Sequence, residues 1–235
     1  MTDVIRKIID EHVIDDKRLG RHLEHDPRSR DYAYDAPVSA LVSVLHKRHG
    51  GIFNQGQLGS CTGNAGGGAH NTEPVYHTGQ AHTVTEAGAK DLYSLATILD
   101  GFSGVYPPTD TGSSGLAVAK AMKQEGMIKS YQHAFDMDAA LAALQAGPVI
   151  TGVDWYEGFD SPDSNGVITI GGQIRGGHEF VVRGYEPNDS DPSQAMVFCD
   201  NSWGTTWGLS GSFKMSVATW QKLLDAGGDV TILIP

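Results

Sequence analysis

Two hydrophobic periods meet at Gly147-Pro148, and this junction constrains the fold more than any other feature of the 235-residue chain. Before it, TVTEAGAKDLYSLATIL carries Leu92, Leu95, Ala96 and Leu99 at helical spacing and stops at Gly101. GSSGLAVAKAMKQEGM (112–127) reads as a second helix, closed by Gly126 at a position that tolerates positive φ. DMDAALAALQAGP adds a third, with an Asp cap, an Ala/Leu interior and a Gly-Pro stop. After the junction, VITGV, GVITI, EFVVRGY, AMVFCDN, SGSFKMSV and DVTILI are short, β-branched or aromatic-rich, and separated by Gly, Pro and Asn. A helical half followed by a mainly β half predicts an α+β fold with a cleft between the two.

Upstream, Val4, Ile5, Ile8, Ile9 and Val13 recur at helical spacing behind Thr2, which predicts a short amphipathic helix. A polar stretch with Pro27 and Pro37 then reads as a surface arm. VSALVSVLH (38–46) fits helix or strand and ends at Gly50-Gly51. The chain has no internal repeat, and its low-complexity sequence is limited to the glycines at 66–68.

Composition excludes several classes. A net charge of -11 with no basic stripe argues against nucleic acid, whose phosphates demand a basic face. The N-terminal stretch has no apolar signal region, and no run approaches the roughly 18 apolar residues of a membrane span. Two cysteines in a chain this long fit a reducing compartment rather than a disulfide framework. A soluble, cytoplasmic protein is expected, placed in a host cytoplasm or a virion were it phage-encoded. The pairs His22/His25 and His46/His49 stand at one-turn spacing without a cysteine or acidic partner to complete a metal site, so they read as solvated helix faces. His70, His77, His82 and His133 are expected on the surface.

Three stretches carry chemistry. NQGQLGSC (54–61) places an amide side chain and two glycines before Cys61. A thiol becomes a good nucleophile when a helix N-terminus or a nearby imidazolium favours its thiolate. GGHEFVVRGY supplies His178 directly before a β run, and CDNSWGTTWG supplies Asn201 beside Trp203 and Trp207. An Asn oxygen can accept the imidazole N–H that faces away from the thiol, and an indole over that contact would exclude water. Asp200 adjoins Asn201, but neighbours on a strand point to opposite faces, which favours Asn201. Cys199, in the apolar run MVFC, reads as a buried core thiol.

Together these stretches resemble the papain family of cysteine peptidases. Residues 54–61 match its Asn-Gln-Gly-x-x-Gly-Ser-Cys segment, residues 201–208 its Asn-Ser-Trp-Gly-x-x-Trp-Gly segment, and residues 178–185 its His-strand-Gly-Tyr segment. The resemblance implies a two-lobe fold with a helical N-terminal lobe and an antiparallel, β-barrel-like C-terminal lobe. It implies Cys61 as nucleophile, His178 as general base and acid, Asn201 as the residue orienting His178, and Gln55 with the Cys61 N–H as the oxyanion hole. Gly112 and Ser113 would pair with an extended peptide, Gly177 would offer its carbonyl, and Glu179 would shape the pocket for the side chain two residues before the cut, favouring a basic or polar one. Trp203 and Trp207 would support the site, the thiol would be shifted toward thiolate, and no metal or organic cofactor would be needed.

The chain also departs from the family. Leu58 stands where many eukaryotic members place a disulfide cysteine, and Thr62 replaces the usual aromatic residue. Gly63, Gly66, Gly67 and Gly68 fall within the helix that the nucleophile would open. Each glycine in a helix costs about 0.8–1 kcal/mol against Ala, so tight packing must compensate or the helix is irregular. GSCTGNA thus resembles the prokaryotic and phage branch.

The expected organisation is an N-terminal helix and arm over 1–49, lying across the lobes, then a peptidase domain over 50–235, divided into a helical lobe (50–147) and a β lobe (148–235). The expected activity is endopeptidase hydrolysis of peptide or protein substrates, active without processing. The alternatives are a noncatalytic peptide-binding or phage structural module and a thiol acyltransferase. No sequence signal bears on oligomeric state.

Overall fold

The computed structural model describes residues 3–15, 17–35, 40–77 and 82–235. The chain starts as extended backbone: β1 (Ile5–Lys7) pairs antiparallel with β2 (Leu23–His25), with Ile5 opposite His25. This corrects the N-terminal amphipathic helix. An isolated helix of that length is marginal in water, and here the backbone finds partners outside itself, as when His12 N–H donates to Arg175 O at 2.7 Å. The apolar residues form no buried stripe either, since Ile5, Ile8 and Val13 are exposed.

Within 38–46 only β3 (Val44–Leu45) is regular; residues 38 and 39, like Pro37, lie outside the described residues. Next comes α1 (Cys61–His70), a regular helix whose ten residues are all buried. Its glycines are the places where neighbours come closest. A Cβ on Gly63 would sit 2.2 Å from the carbonyl oxygen of Ala89, so another helix rests directly on the α1 backbone there. Tight packing is therefore the resolution of the glycine-rich helix.

The helices α2 (Glu86–Leu99) and α3 (Gly115–Gln124) flank α1. Thr85 and Ser114 cap them by accepting from Gly88 N–H (3.2 Å) and Ala117 N–H (3.1 Å). After β4 (Ser130–Ala134), α4 (Met137–Ala146) starts at Asp136, which accepts from Ala139 N–H at 2.8 Å. The strands β5 (Val149–Tyr156), β6 (Ile174–Glu186), β7 (Met196–Asp200) and β8 (Ser212–Ser216) follow, then α5 (Val217–Asp225) and β9 (Asp229–Ile234).

The main sheet runs in the order β4-β9-β5-β6-β7-β8, with every pairing antiparallel and β3 added to β6. Its edges, β4 and β8, do not pair with each other among the described residues, so the sheet is open rather than a closed barrel. The run GVITI, expected as a strand, makes a single bridge from Val167 to Lys214. Helix α4 places Leu141 and Leu144 in the same core as the strand residues Val182, Val197 and Phe213, whereas α1, α2 and α3 share a second core with Ile150 and Val181. No helix among the described residues is long and apolar enough to cross a membrane.

Candidate active site

Cys61 is the first residue of α1, and its side chain is fully buried. Ser60 precedes it without accepting a capping hydrogen bond on its side chain, so the first turn of the helix is left uncapped by it. The loop before the helix is tied down at Gln55. Its N–H donates to Ser202 O at 2.8 Å, its Oε1 accepts from Ser202 Oγ at 2.6 Å, and its Nε2 donates to Leu58 O at 2.9 Å. An amide nitrogen carries two hydrogens, which leaves one on Gln55 uncommitted.

His178 lies on β6 opposite Val153 of β5 and is fully buried. Its Nε2 is 2.7 Å from Asn201 Oδ1, while Nδ1 is buried with no hydrogen-bond partner. Donation from Nε2 to the Asn oxygen leaves Nδ1 with the free lone pair of a base. The Trp203 ring lies 5.0 Å from the imidazole, and Trp207 packs edge-on against Trp203 at 5.2 Å. Asp200 faces elsewhere: it accepts from Arg48 (3.2 Å), Arg183 (2.8 Å) and Ser212 Oγ (2.7 Å). Cys199 is buried in the sheet core, and neither cysteine forms a disulfide.

Trp155 was not singled out by the sequence, yet its ring meets His178 edge-on at 4.7 Å, and its Nε1 donates to Asp160 at 2.9 Å. The alternation of Val153 and Trp155 on β5 was the available signal. Arg175, also missed, pairs with Asp160 at 3.0 Å and lies over Trp203.

Electrostatically the site is at rest. Burial pushes the Cys61 thiol up from its ordinary value, the Glu179 charge adds to this, and the backbone N–H groups of Glu179 and Thr62 act in the opposite direction. Burial also pulls His178 down to about 3, against the raising effect of the Asn201 hydrogen bond. Both directions favour the uncharged forms, opposite in sense to the shift toward thiolate that the resemblance implies.

The N-terminal arm runs between Gly59 and Gly177, the residues close in sequence to Cys61 and His178. Gly20 and Arg21 both donate their N–H to Gly177 O, at 3.0 and 2.9 Å. Ser113 N–H donates to Gly20 O at 2.8 Å, and His22 N–H donates to Ser113 O at 2.7 Å, forming a parallel bridge between Arg21 and Ser113. Trp203 Nε1 donates to Arg18 O at 3.0 Å, and Leu19 is fully buried. Gly20 is required at the closest approach, where a Cβ would sit 2.1 Å from Gly59 O. Gly112, adjoining this path, has φ +68° and lies against Gly20 O and the His22 ring. The structure thus gathers Gly112, Ser113, Gly177 and Glu179 around the arm, with the side chain of Arg21 beside Glu179. Beyond Trp203 the cleft continues as a cavity of about 810 Å³ bordered by Gln57, Asp160, Asp163 and Trp207.

A family model described as "Papain family cysteine protease" matches residues 55–223. The chain belongs to the papain family of cysteine proteases. It is accordingly a cysteine peptidase, a family whose substrates are peptides or proteins. No curated protein matches the chain. Among solved structures of the papain fold, it is similar to xylellain, a cysteine protease from Xylella fastidiosa. The TM-score is 0.72 at 18% identity, covering 95% of this chain and 99% of that one. It is also similar to digestive procathepsin L 3 of Tenebrio molitor larval midgut (TM-score 0.65, 17% identity, 86% and 73% covered) and to the ragweed allergen Amb a 11 in its proform (TM-score 0.62, 19%, 87% and 69%).

His22, His25, His46 and His49 do not lie on the helix faces expected, although His25, on β2, is exposed. His22 is buried, accepting from Ile9 N–H at 3.2 Å through Nδ1, with Nε2 2.7 Å from Thr111 O. His46 contacts Leu144 O at 2.7 Å, and His49 contacts Glu73 at 2.6 Å. His70 and His133 are buried too, while His77 and His82 are exposed. Among the described residues, no three His, Cys, Asp or Glu side chains converge as a metal site would require.

Proposed function

We propose that the chain is an endopeptidase that cuts peptide bonds through an acyl-thioester on Cys61. The observation that carries this reading is the 2.7 Å contact between His178 Nε2 and Asn201 Oδ1, which leaves Nδ1 unpartnered in a buried site. His178 Nδ1 takes the thiol proton, and Sγ attacks the peptide carbonyl carbon. The oxyanion is held by the Cys61 N–H and the uncommitted Gln55 N–H. When the intermediate collapses, the C–N bond breaks and the leaving nitrogen takes the proton from His178. Water, deprotonated by the same imidazole, then attacks the thioester and releases the acid and the thiol. A positioned base of this kind contributes about 10²–10⁴-fold, and the oxyanion donors act where charge develops.

The substrate lies where the arm now lies, using Ser113 N–H, Ser113 O and Gly177 O as its backbone partners. With the substrate residue two before the cut seated near Glu179, its following residues run toward Cys61. The arm runs the other way, because it is the residues preceding Arg21 that pass toward Trp203. A reversed chain presents no carbonyl in the attacking geometry, so the arm fills the cleft without being cut, and the unprocessed chain is closed. This departs from the expectation of activity without processing.

Active-site alkylation with iodoacetamide and hydrolysis of an internally quenched peptide library test the reading, each before and after limited proteolysis of the arm. Opened protein should hydrolyse peptides, and Cys61→Ala should not, while Cys199→Ala retains activity. Opened, folded protein whose Cys61 reacts no faster than a free thiol and which cuts nothing would establish the noncatalytic module instead.

A further inference from the structure

The loop that leads into Cys61 is fastened at both ends. Gln55 is held by Ser202, and at the other end Gly59 N–H donates to Asp110 Oδ2 at 2.8 Å. The approach is close, since a Cβ on Gly59 would lie 3.0 Å from Asp110 Oδ1. No disulfide assists, because both cysteines are free.

The second oxygen of Asp110 reaches a different element. Tyr93, fully buried on α2, donates its hydroxyl to Asp110 Oδ1 at 2.6 Å. The same phenolic oxygen accepts from Gly112 N–H at 2.9 Å. A phenol has one hydrogen to give and lone pairs to accept with, so Tyr93 serves a carboxylate and an N–H together only in this direction. Burial pushes the phenol above its ordinary value and the Asp110 carboxylate adds to this, which keeps the donated hydrogen in place. Hydrogen bonds to a carboxylate are among the stronger ones, and without the phenol the buried Gly112 N–H would need another acceptor.

These bonds close a circuit. A Cβ on Gly63 would lie 2.7 Å from Tyr93 N, so the residue that carries the phenol also rests on the helix that begins at Cys61. From Cys61 the circuit runs back to Gly59 and across Asp110 to Tyr93. There it divides, onto α1 at Gly63 and out to Gly112, the neighbour of Ser113. We infer that Asp110 and Tyr93 are positioning residues, which together set the spacing between the Cys61 thiol and the Ser113 edge that holds the substrate backbone. The inference rests on the peptidase reading for the roles of Cys61 and Ser113, and it adds two residues that neither react nor bind the peptide themselves.

The test measures alkylation of Cys61 in the full chain by two reagents, followed by mass spectrometry. Acetyl-Leu-Gly chloromethyl ketone needs the Ser113 edge for its backbone, and iodoacetamide does not. On the proposed reading both reach the thiol only with the arm undocked, so the ratio of their rates is independent of docking. Tyr93→Phe keeps the ring and removes the acceptor of Gly112 N–H. Asp110→Asn keeps one oxygen for Gly59 N–H and turns an amide nitrogen toward the phenol. Each should lower the ratio of peptidyl to iodoacetamide rate by at least about tenfold, since a misplacement of about 1 Å costs on the order of 100-fold. The double variant should fall no more than about twofold below either single one, because both break the same circuit. A merely structural role would lower the urea midpoint and leave the ratio alone. A ratio that falls by less than about threefold in either folded variant overturns the inference, as does a double variant whose loss is the product of the two single losses. Should one variant fail to fold, the ratio in the other decides. The expected fall in the ratio, with no hydrolysis of any library peptide by the opened protein, would sink the peptidase reading and leave the positioning circuit standing.

Discussion

The N–H of Arg21 donates to the carbonyl of Gly177 at 2.9 Å, so the residue directly before the candidate catalytic base is bonded to the chain's own N-terminal arm. On the proposed reading, access to Cys61 requires the arm to undock, and substitutions that touch only the arm should raise it.

Gly20 offers the clearest such substitution. Any side chain there meets Gly59 O, so Gly20→Leu should expel the arm, withdrawing Leu19 from the core it shares with the sheet. Iodoacetamide labelling of Cys61 should rise by at least about tenfold, equivalent to about 1.4 kcal/mol of lost docking. An unchanged far-UV circular dichroism spectrum with a cooperative denaturation transition would show that the rest of the fold is retained.

Gln55 is expected to act on turnover. In an arm-released protein, Gln55→Ala should lower kcat by about 100-fold to 1,000-fold with a much smaller change in KM, as loss of an oxyanion donor does. A loss confined to KM would place Gln55 in substrate binding instead.

Asp200 and Asn201 are neighbours with opposite consequences. Asp200→Ala removes the shared acceptor of two arginines at a buried site and should destabilise the fold by about 3–5 kcal/mol. Asn201→Ala should leave the urea midpoint comparatively unchanged while lowering kcat. Denaturation and steady-state kinetics on the two variants should separate these roles.

His22 makes arm docking sensitive to acid. Its Nδ1 accepts from Ile9 N–H, and burial lowers its pKa from the ordinary value of 6.5, with the Arg21 charge lowering it further and the Thr111 carbonyl, Asp10 and Asp110 opposing. The docked state thus binds fewer protons than the free arm. Docking is fully present above about pH 6.5 and weakens as the pH falls toward the lowered value, by at most about 1.4 kcal/mol per pH unit from this group. Hydrogen exchange at the Ile9 amide, corrected for its intrinsic rate, should accelerate between pH 7.5 and 5.5, and His22→Gln should remove that acceleration.

Much of this could be read from the sequence where a local signal and the tertiary outcome agree. Asp136 caps the helix that its position announces, and Cys61, His178 and Asn201 are identified by motifs that leave little freedom. The reading failed where a tertiary partner decides the backbone. Val4, Ile5, Ile8, Ile9 and Val13 have helical spacing, but the cleft offers hydrogen bonds to extended chain and none to a helix. β4, SYQHA, has little β-branched character and forms because β9 pairs along it. Helix α5 was hidden behind the strand-like SFKMS, although Ser216 caps it by accepting from Thr219 N–H at 3.1 Å. Neither Arg21 nor Asp229 had a motif, since their meeting spans 208 residues of chain.

Gly63 has its own prediction. A methyl group at this position would lie 2.2 Å from Ala89 O and 2.7 Å from Tyr93 N, both main-chain atoms that cannot rotate aside. Gly63→Ala, which would strengthen an isolated helix by about 1 kcal/mol, should here destabilise by about 1–3 kcal/mol or more. Chemical denaturation gives the sign directly.

The same contact bears on how the nucleophile is aimed. Where helices meet through side chains, their separation follows the rotamers between them and drifts as those residues change. Where α1 meets α2 at Gly63, main chain rests on main chain, and the bearing of Cys61, two residues away, is inherited from the least variable part of the polypeptide.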